Sequence, residues 1–92
     1  MSDIEFLIDE NVLGIDRYLK TFDIKHRSIG GPDCPKLGSG DDEVAKFAKK
    51  ENLVVITNDD NLTKQCDLFD VKYVFSDLTD FARMVKEYAD SN

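Results

Sequence analysis

The sequence predicts an α/β domain in which a four-stranded parallel sheet lies between two layers of helices, in the order βαβαβαβα. Short apolar runs rich in β-branched and aromatic residues alternate with segments whose apolar residues recur every three or four positions. This alternation is typical of parallel sheets with right-handed crossovers. The strand-like runs are almost continuously apolar, as expected when helices cover both faces of a sheet. With 92 residues, the chain has room for a single domain over residues 1–92.

The first half of the chain is predicted to form two strands, one helix and a long loop. Ile4–Ile8 is the first strand, and a weaker second strand covers Asp23–Arg27. The helix between them has Asn11 as a candidate N-cap. Its apolar stripe consists of Val12, Ile15, Leu19 and Phe22. Residues 30–40 are dense in glycine and proline, and a loop of this length in a compact α/β unit is more often functional than not.

The second half is predicted to continue the alternation to the end of the chain. A helix covers about Asp41–Glu51, with Val44, Phe47 and Ala48 directed inward, and Leu53–Ile56 is the clearest buried strand. A short helix with Leu62, Cys66 and Phe69 on one side, a fourth strand over Val71–Phe75 and a last helix from about Ser76 or Asp77 follow. The apolar stripe of that last helix consists of Leu78, Phe81, Ala82, Val85 and Ala89.

The composition narrows the classes of function. A formal net charge of −7 disfavours binding to nucleic acid through a basic surface, although a bound divalent cation would reverse the sign of the charge locally. Lys25–Arg27 and Lys36 are the local basic patches. The N-terminus lacks the pattern of a signal peptide, and no run approaches the roughly 20 apolar residues of a membrane span. We therefore expect a cytoplasmic protein with no membrane association, in which Cys34 and Cys66 are plain thiols.

Three acidic clusters are predicted to meet at one edge of the sheet. Asp9 and Glu10 follow the first strand, and a second cluster follows the third strand at Asn58, Asp59, Asp60 and Asn61. If the first strand is central, with the second and third on either side, both clusters lie at the carboxyl ends of neighbouring strands, where ligands bind in such sheets. The third cluster, Asp41, Asp42 and Glu43, begins the helix that crosses back from this edge.

The phase of that helix distinguishes among its three acids. Asp41 lies three and seven residues before Val44 and Ala48, so it shares their inward stripe. Asp42 is rotated about 100° away, and Glu43 ranks between the two. Each acid taken singly is also explained as a helix cap. Capping requires about one such residue per helix, however, and the surplus of mutually repelling carboxylates favours a cation site.

Oxygen ligands without a histidine or cysteine cluster suit Mg²⁺ or Mn²⁺ better than zinc. The expected chemistry is metal-assisted phosphodiester cleavage. Asp9 and Asp59 are expected to hold the metal, while Asp41 completes the coordination shell or orients the attacking water. Thr57 or Asn58 is a candidate hydrogen-bonding partner for a ligand or phosphate.

Three blocks in this order resemble the short PIN-like domains related to the VapC toxins of toxin–antitoxin systems. The blocks are Phe6–Asn11, Gly40–Val44 and Val55–Asp59, and the similarity extends from Ile4 to about Leu62. The resemblance implies a PIN-like fold and a Mg²⁺- or Mn²⁺-dependent ribonuclease, with metal-binding roles for Asp9, Asp41 and Asp59. It also brings an antitoxin protein into consideration as a partner.

The third block departs from the family pattern, in which Thr-Asn-Asp is followed by any residue, then Asp and Phe. Asn61 and Leu62 occupy those last two places. Asp60 or Asp77 is a candidate replacement for the missing carboxylate. An alternative is therefore a PIN-like binding module with weak or no catalysis that acts through an RNA or protein partner. A phospho-acceptor receiver-like domain is disfavoured, because the chain is one strand and one helix short of that fold. Homodimerisation remains open.

Overall fold

The computed structural model describes residues 4–75 and 89–90. Its four strands form one all-parallel sheet in the order β2-β1-β3-β4. The strands are β1 (Glu5–Ile8), β2 (His26–Ser28), β3 (Leu53–Thr57) and β4 (Tyr73–Phe75). The helices are α1 (Asp16–Thr21), α2 (Asp41–Glu51) and α3 (Asp60–Leu68), and a 3₁₀ segment over Glu10–Ile15 joins β1 to α1. The predicted α/β class and the central position of the first strand are confirmed.

Both faces of the sheet are covered, which confirms the three-layer arrangement. Alternate residues of a strand face opposite sides, so Leu7 and Val55 lie in one core while Ile8 and Ile56 lie in the other. The first core includes buried residues of α2 and α3, and the second includes Val12 and Ile15 of the 3₁₀ segment. The apolar continuity of β1 and β3 thus follows from burial on two sides.

α2 forms over the predicted bounds because its sequence suits a helix at both ends. Acidic residues occupy its first turn, and Lys49 and Lys50 occupy its last, which complements the helix dipole. Val44 and Ala48 are buried as predicted, Ala45 is buried beside them, and Phe47 packs partly buried against the same core. The helix ends at Asn52, whose left-handed conformation (φ 57°) turns the chain into β3.

The predicted first helix differs from the structure. Val12 leaves the helical region (φ −132°, ψ 28°), so a 3₁₀ segment and a short α-helix replace one continuous helix. The N-cap is Asp9, whose carboxylate accepts a hydrogen bond from Glu10 N–H, and the prediction of Asn11 is wrong. Phe22 is 70% exposed rather than inward, because α1 has ended before it and Asp23 (φ 56°) redirects the chain.

Two strands differ from the bounds predicted for them: one is displaced along the chain, and the other is shorter. β2 occupies His26–Ser28 instead of Asp23–Arg27, and β4 is confined to Tyr73–Phe75. The predicted last helix lies almost entirely outside the described residues. In the described part of the chain, no helix is both long and apolar enough to cross a membrane.

The two cysteines are free thiols, as predicted. Burial raises the pKa of the Cys66 thiol to about 11 and also raises the pKa of Cys34. Both thiols therefore stay protonated near neutral pH. Because the thiolate is the reactive form of cysteine, both side chains are poor nucleophiles at this pH.

Candidate functional site

A hydrogen-bonded arrangement of Asp9, Thr57 and Asp59 forms the buried part of the site. The parallel register pairs Ile8 with Ile56, which places the residues that follow them side by side at the carboxyl edge. The Thr57 hydroxyl donates to Asp9 Oδ2 at 2.7 Å and accepts from the Asp59 backbone N–H at 3.0 Å. Thr57 is 0% and Asp9 is 6% exposed. One buried hydroxyl therefore connects the ends of β1 and β3.

Both carboxylate oxygens of Asp9 are engaged by neutral donors. Oδ1 accepts the Glu10 N–H at 2.8 Å, and Oδ2 accepts the Thr57 hydroxyl. Each oxygen of a carboxylate has a further lone pair, so these bonds orient Asp9 and leave it able to accept more.

Asp59 combines a position in the site with capping of α3. Its Oδ1 accepts the Asn61 N–H at 2.8 Å, and Asp59 is the N-cap of that helix. The capping interpretation of this acid is thus confirmed, while its second oxygen makes no hydrogen bond to the described residues. Asn61 donates its backbone N–H to Asp59, and the residue is exposed to solvent.

Asp41 is the first residue of α2, and it is half-buried. Its pKa is raised first by burial and then by the charges of Asp59 and Asp9, with smaller effects from Asp42 and Glu10. Thr57 brings Asp9 and Asp59 together, whereas a place for Asp41 beside them stays a prediction.

Glu10 is directed to the long loop. Its two carboxylate oxygens lie 3.1 and 3.2 Å from the backbone nitrogen of Gly38 and accept that N–H. Because residues 30–40 lead directly into α2, this bond links the end of β1 to the segment that carries Asp41.

The remaining predicted residues that the structure describes differ in their exposure and partners. Asp42 and Glu43 are exposed, and Asp42 pairs with Lys46 at 4.0 Å. Asn58 is half-buried and Asp60 is exposed. Thr57 was a candidate contact for a ligand or phosphate, but its hydroxyl proton is donated to Asp9. Asp77 lies outside the described residues.

The donor set has the chemistry that Mg²⁺ or Mn²⁺ requires, since it consists of hard carboxylate oxygens that repel one another. Within residues 4–75 and 89–90, neither Asp9, Asp41 nor Asp59 forms a salt bridge with a lysine, arginine or histidine. Among those same residues, no group of three or more His, Cys, Asp or Glu side chains is arranged to hold a metal ion as it stands. The ligand types therefore fit a cation, and the carboxylates would have to close around it.

Comparison of the chain with protein-family models, curated proteins and solved structures finds no match. The site is consequently interpreted from its own residues. Sequence reasoning placed Asp9 and Asp59 at this edge, and it missed Gly38 and the bridging role of Thr57. The register of β1 with β3 is the signal that places Thr57 next to Asp9, whereas the path of the loop to Glu10 has no signal in the sequence.

Proposed function

We propose that the protein is a Mg²⁺- or Mn²⁺-dependent ribonuclease of the PIN-like kind that cleaves RNA phosphodiesters. The observation that carries the proposal is the hydrogen-bonded arrangement at the carboxyl edge of a parallel sheet in which buried Thr57 joins buried Asp9 to half-buried Asp59. This edge is where α/β sheets bind their ligands. The resemblance of three sequence blocks to PIN-like domains supports the same assignment.

In this proposal the three aspartates have different roles. Asp9 and Asp59 would hold the metal, with Asp9 oriented by two hydrogen bonds and Asp59 by its place at the start of α3. Asp41 would complete the coordination shell or orient the attacking water. The metal, when bound, supplies a nucleophilic water and stabilises charge on the phosphate. It also offsets the repulsion between these acids and the RNA backbone.

The deciding experiment replaces Asp9 with Asn in purified protein and measures cleavage of single-stranded RNA in Mn²⁺. We expect cleavage to fall by about 100-fold or more, because several kcal/mol of transition-state stabilisation depends on the metal. Asp67→Asn is the matched control, since it removes the same charge from an exposed position on α3. Thermal unfolding of both variants verifies that they are folded. Cleavage that persists in Asp9→Asn would refute the assignment.

A second candidate is a PIN-like binding module without catalysis that acts through an RNA or protein partner. It is favoured by Asn61, which stands where the family pattern has an acid, and by the lack of a preformed three-acid group among the described residues. The two proposals separate by calorimetry with Mn²⁺ alone. Binding at one site together with RNA cleavage supports the nuclease, whereas RNA binding without Mn²⁺ uptake or cleavage supports the module.

A further inference from the structure

The loop over residues 30–40 is folded by its own hydrogen bonds. Gly30 N–H donates to the carbonyl of Pro35 at 2.8 Å, and Ser39 N–H donates to the carbonyl of Lys36 at 3.1 Å. The first bond closes the loop across residues 30–35, and the second closes a β-turn over residues 36–39. The loop therefore behaves as a compact unit whose position depends on how it is attached to the rest of the domain.

Glu10 supplies one such attachment at the edge where the acids meet. Both of its carboxylate oxygens lie within 3.2 Å of the Gly38 nitrogen. Gly38 has a φ of 84°, a conformation that L side chains rarely adopt. Glycine at this position thus allows the turn in which the N–H reaches Glu10. A hydrogen bond from an amide to an ionised carboxylate is stronger than one between neutral groups.

The attachment lies close in sequence to Asp41 on one side and to Asp9 on the other. Gly38 precedes Asp41 by three residues, and the carbonyl of Gly40 accepts the Val44 N–H at 3.1 Å as α2 begins. Glu10 directly follows Asp9, which is itself held by the Thr57 hydroxyl. The bond from Gly38 to Glu10 therefore joins the loop side of the site to its strand side.

We infer that Glu10 is a positioning residue whose carboxylate, by holding the Gly38 N–H, sets the start of α2 and thereby the position of Asp41 relative to Asp9 and Asp59. The hydrogen bond between Glu10 and Gly38 follows from the geometry alone. Its effect on catalysis rests on the proposed ribonuclease function. It assigns Glu10 a hydrogen-bonding role within the chain rather than a place among the metal ligands.

The first measurement is amide hydrogen exchange by NMR in the metal-free protein. Glu10→Ala should accelerate exchange at Gly38 by about tenfold, the effect of losing roughly one hydrogen bond's stabilisation. The Asn61 amide, bonded to Asp59, is an internal reference that should not change. Glu10→Gln keeps an oxygen acceptor and should preserve most of the protection. Glu10→Asp, whose carboxylate is one methylene shorter, gives a second test should Glu10→Ala not fold, and exchange at Gly38 should again accelerate.

The second measurement is RNA cleavage by the same variants in Mn²⁺. Glu10→Ala should lower kcat about tenfold with little change in KM, because Glu10 contacts its own chain rather than RNA. Glu10→Gln should restore kcat to within about threefold of the parent protein, since the acceptor is kept. A metal ligand would not be rescued in this way, because the amide has no charge.

Two results would overturn the inference: unchanged exchange at Gly38 in both Glu10→Ala and Glu10→Asp, or a loss of cleavage in Glu10→Gln as large as in Glu10→Ala. If the parent protein neither binds Mn²⁺ nor cleaves RNA, the ribonuclease proposal fails, and the exchange data still decide whether Glu10 holds the loop.

Discussion

Acidic residues at the two ends of the sheet have different kinds of partner. At the amino end of β1, Glu5 accepts from Arg27 at 2.9 Å and lies 3.8 Å from Lys25, while Glu51 accepts from Arg27 at 3.0 Å. At the carboxyl end, Asp9, Asp41 and Asp59 have no cationic partner among the residues described. Asp9 is held by a hydroxyl and a backbone N–H, and Asp59 is held by a backbone N–H instead.

This difference separates two ways of fixing a carboxylate. A cation fixes it and cancels its charge, and the hydrogen bonds that Arg27 donates to Glu5 and then to Glu51 raise the pKa of Arg27 still further, so that it stays charged. A neutral donor fixes the carboxylate and leaves its charge available. The acids at the amino end are therefore neutralised within the chain, and the carboxyl end keeps negative charge that a divalent cation would relieve.

The largest structural effect is expected from removing the neutral donor at the carboxyl end. Thr57→Val keeps the shape of the side chain and deletes the hydroxyl that donates to Asp9. The buried carboxylate then loses a partner, which should lower the free energy of unfolding by about 2 kcal/mol. Chemical denaturation measures this change, and cleavage in Mn²⁺ should fall with it because Asp9 loses its orientation.

Thr57→Ser is the matched control, since it keeps the hydroxyl and removes only a methyl group. Its loss of stability should come from that methyl group, about 1 kcal/mol, with cleavage largely retained. Equal loss of cleavage in the two variants would show that packing, and not the hydroxyl, orients Asp9.

The bridging role of Thr57 shows where sequence reasoning stops. α2 and β3 were predicted correctly because continuous apolar runs, helical phase and charged ends agree in those segments. The neighbouring positions of Asp9 and Asp59 followed from topology, since parallel strands end at one edge. The donor to each carboxylate depends instead on side-chain rotamers and on the path of the loop. Neither the Thr57 hydroxyl nor the Gly38 N–H could be assigned from spacing.

The prediction of one continuous first helix was wrong for a related reason. Its apolar spacing was correct for Val12 and Ile15, which are buried, but the backbone at Val12 is not helical. Asp9 caps the segment, so the same side chain serves both the local turn and the site. When one acid both caps a helix and lies in the site, its position in the sequence does not show whether it is a cap or a ligand.

At the amino end, Arg27→Met tests the other half of the comparison. It keeps most of the aliphatic stem and leaves Glu5 and Glu51 facing each other without the guanidinium. We expect a smaller loss of stability than in Thr57→Val, because these groups are more exposed and solvent screens them. The loss should shrink in 1 M NaCl, where charges interact only over about 3 Å. A loss that salt does not change would assign the effect to packing, and Mn²⁺ binding should stay as in the parent protein.

The smallest effect, and the most diagnostic in sign, is expected from Asp41→Asn. Repulsion from Asp59 and Asp9 adds to burial in raising the pKa of Asp41 above its ordinary value of 3.8. The folded protein therefore binds more protons than the unfolded chain in the window above that value, and its stability falls as pH rises through the window. The penalty is full at neutral pH and absent below the ordinary pKa. Asp41→Asn should accordingly be more stable than the parent at pH 7, by less than about 1 kcal/mol because solvent screens a partly exposed group, and the gain should vanish at pH 3.

Asp42→Asn is the control that isolates this repulsion from the helix dipole, since both acids lie in the first turn of α2. Asp42 is exposed and pairs with Lys46, so its loss removes favourable interactions and should lower stability slightly at pH 7. Thermal unfolding at the two pH values measures both variants. Saturating Mn²⁺ should reverse the order of the parent and Asp41→Asn, because a ligand that binds the folded state stabilises the protein that binds it more tightly. If Asp41→Asn and Asp42→Asn change stability in the same direction, burial and repulsion do not destabilise the ionised form of Asp41 in the folded protein, and the expected pH dependence is wrong.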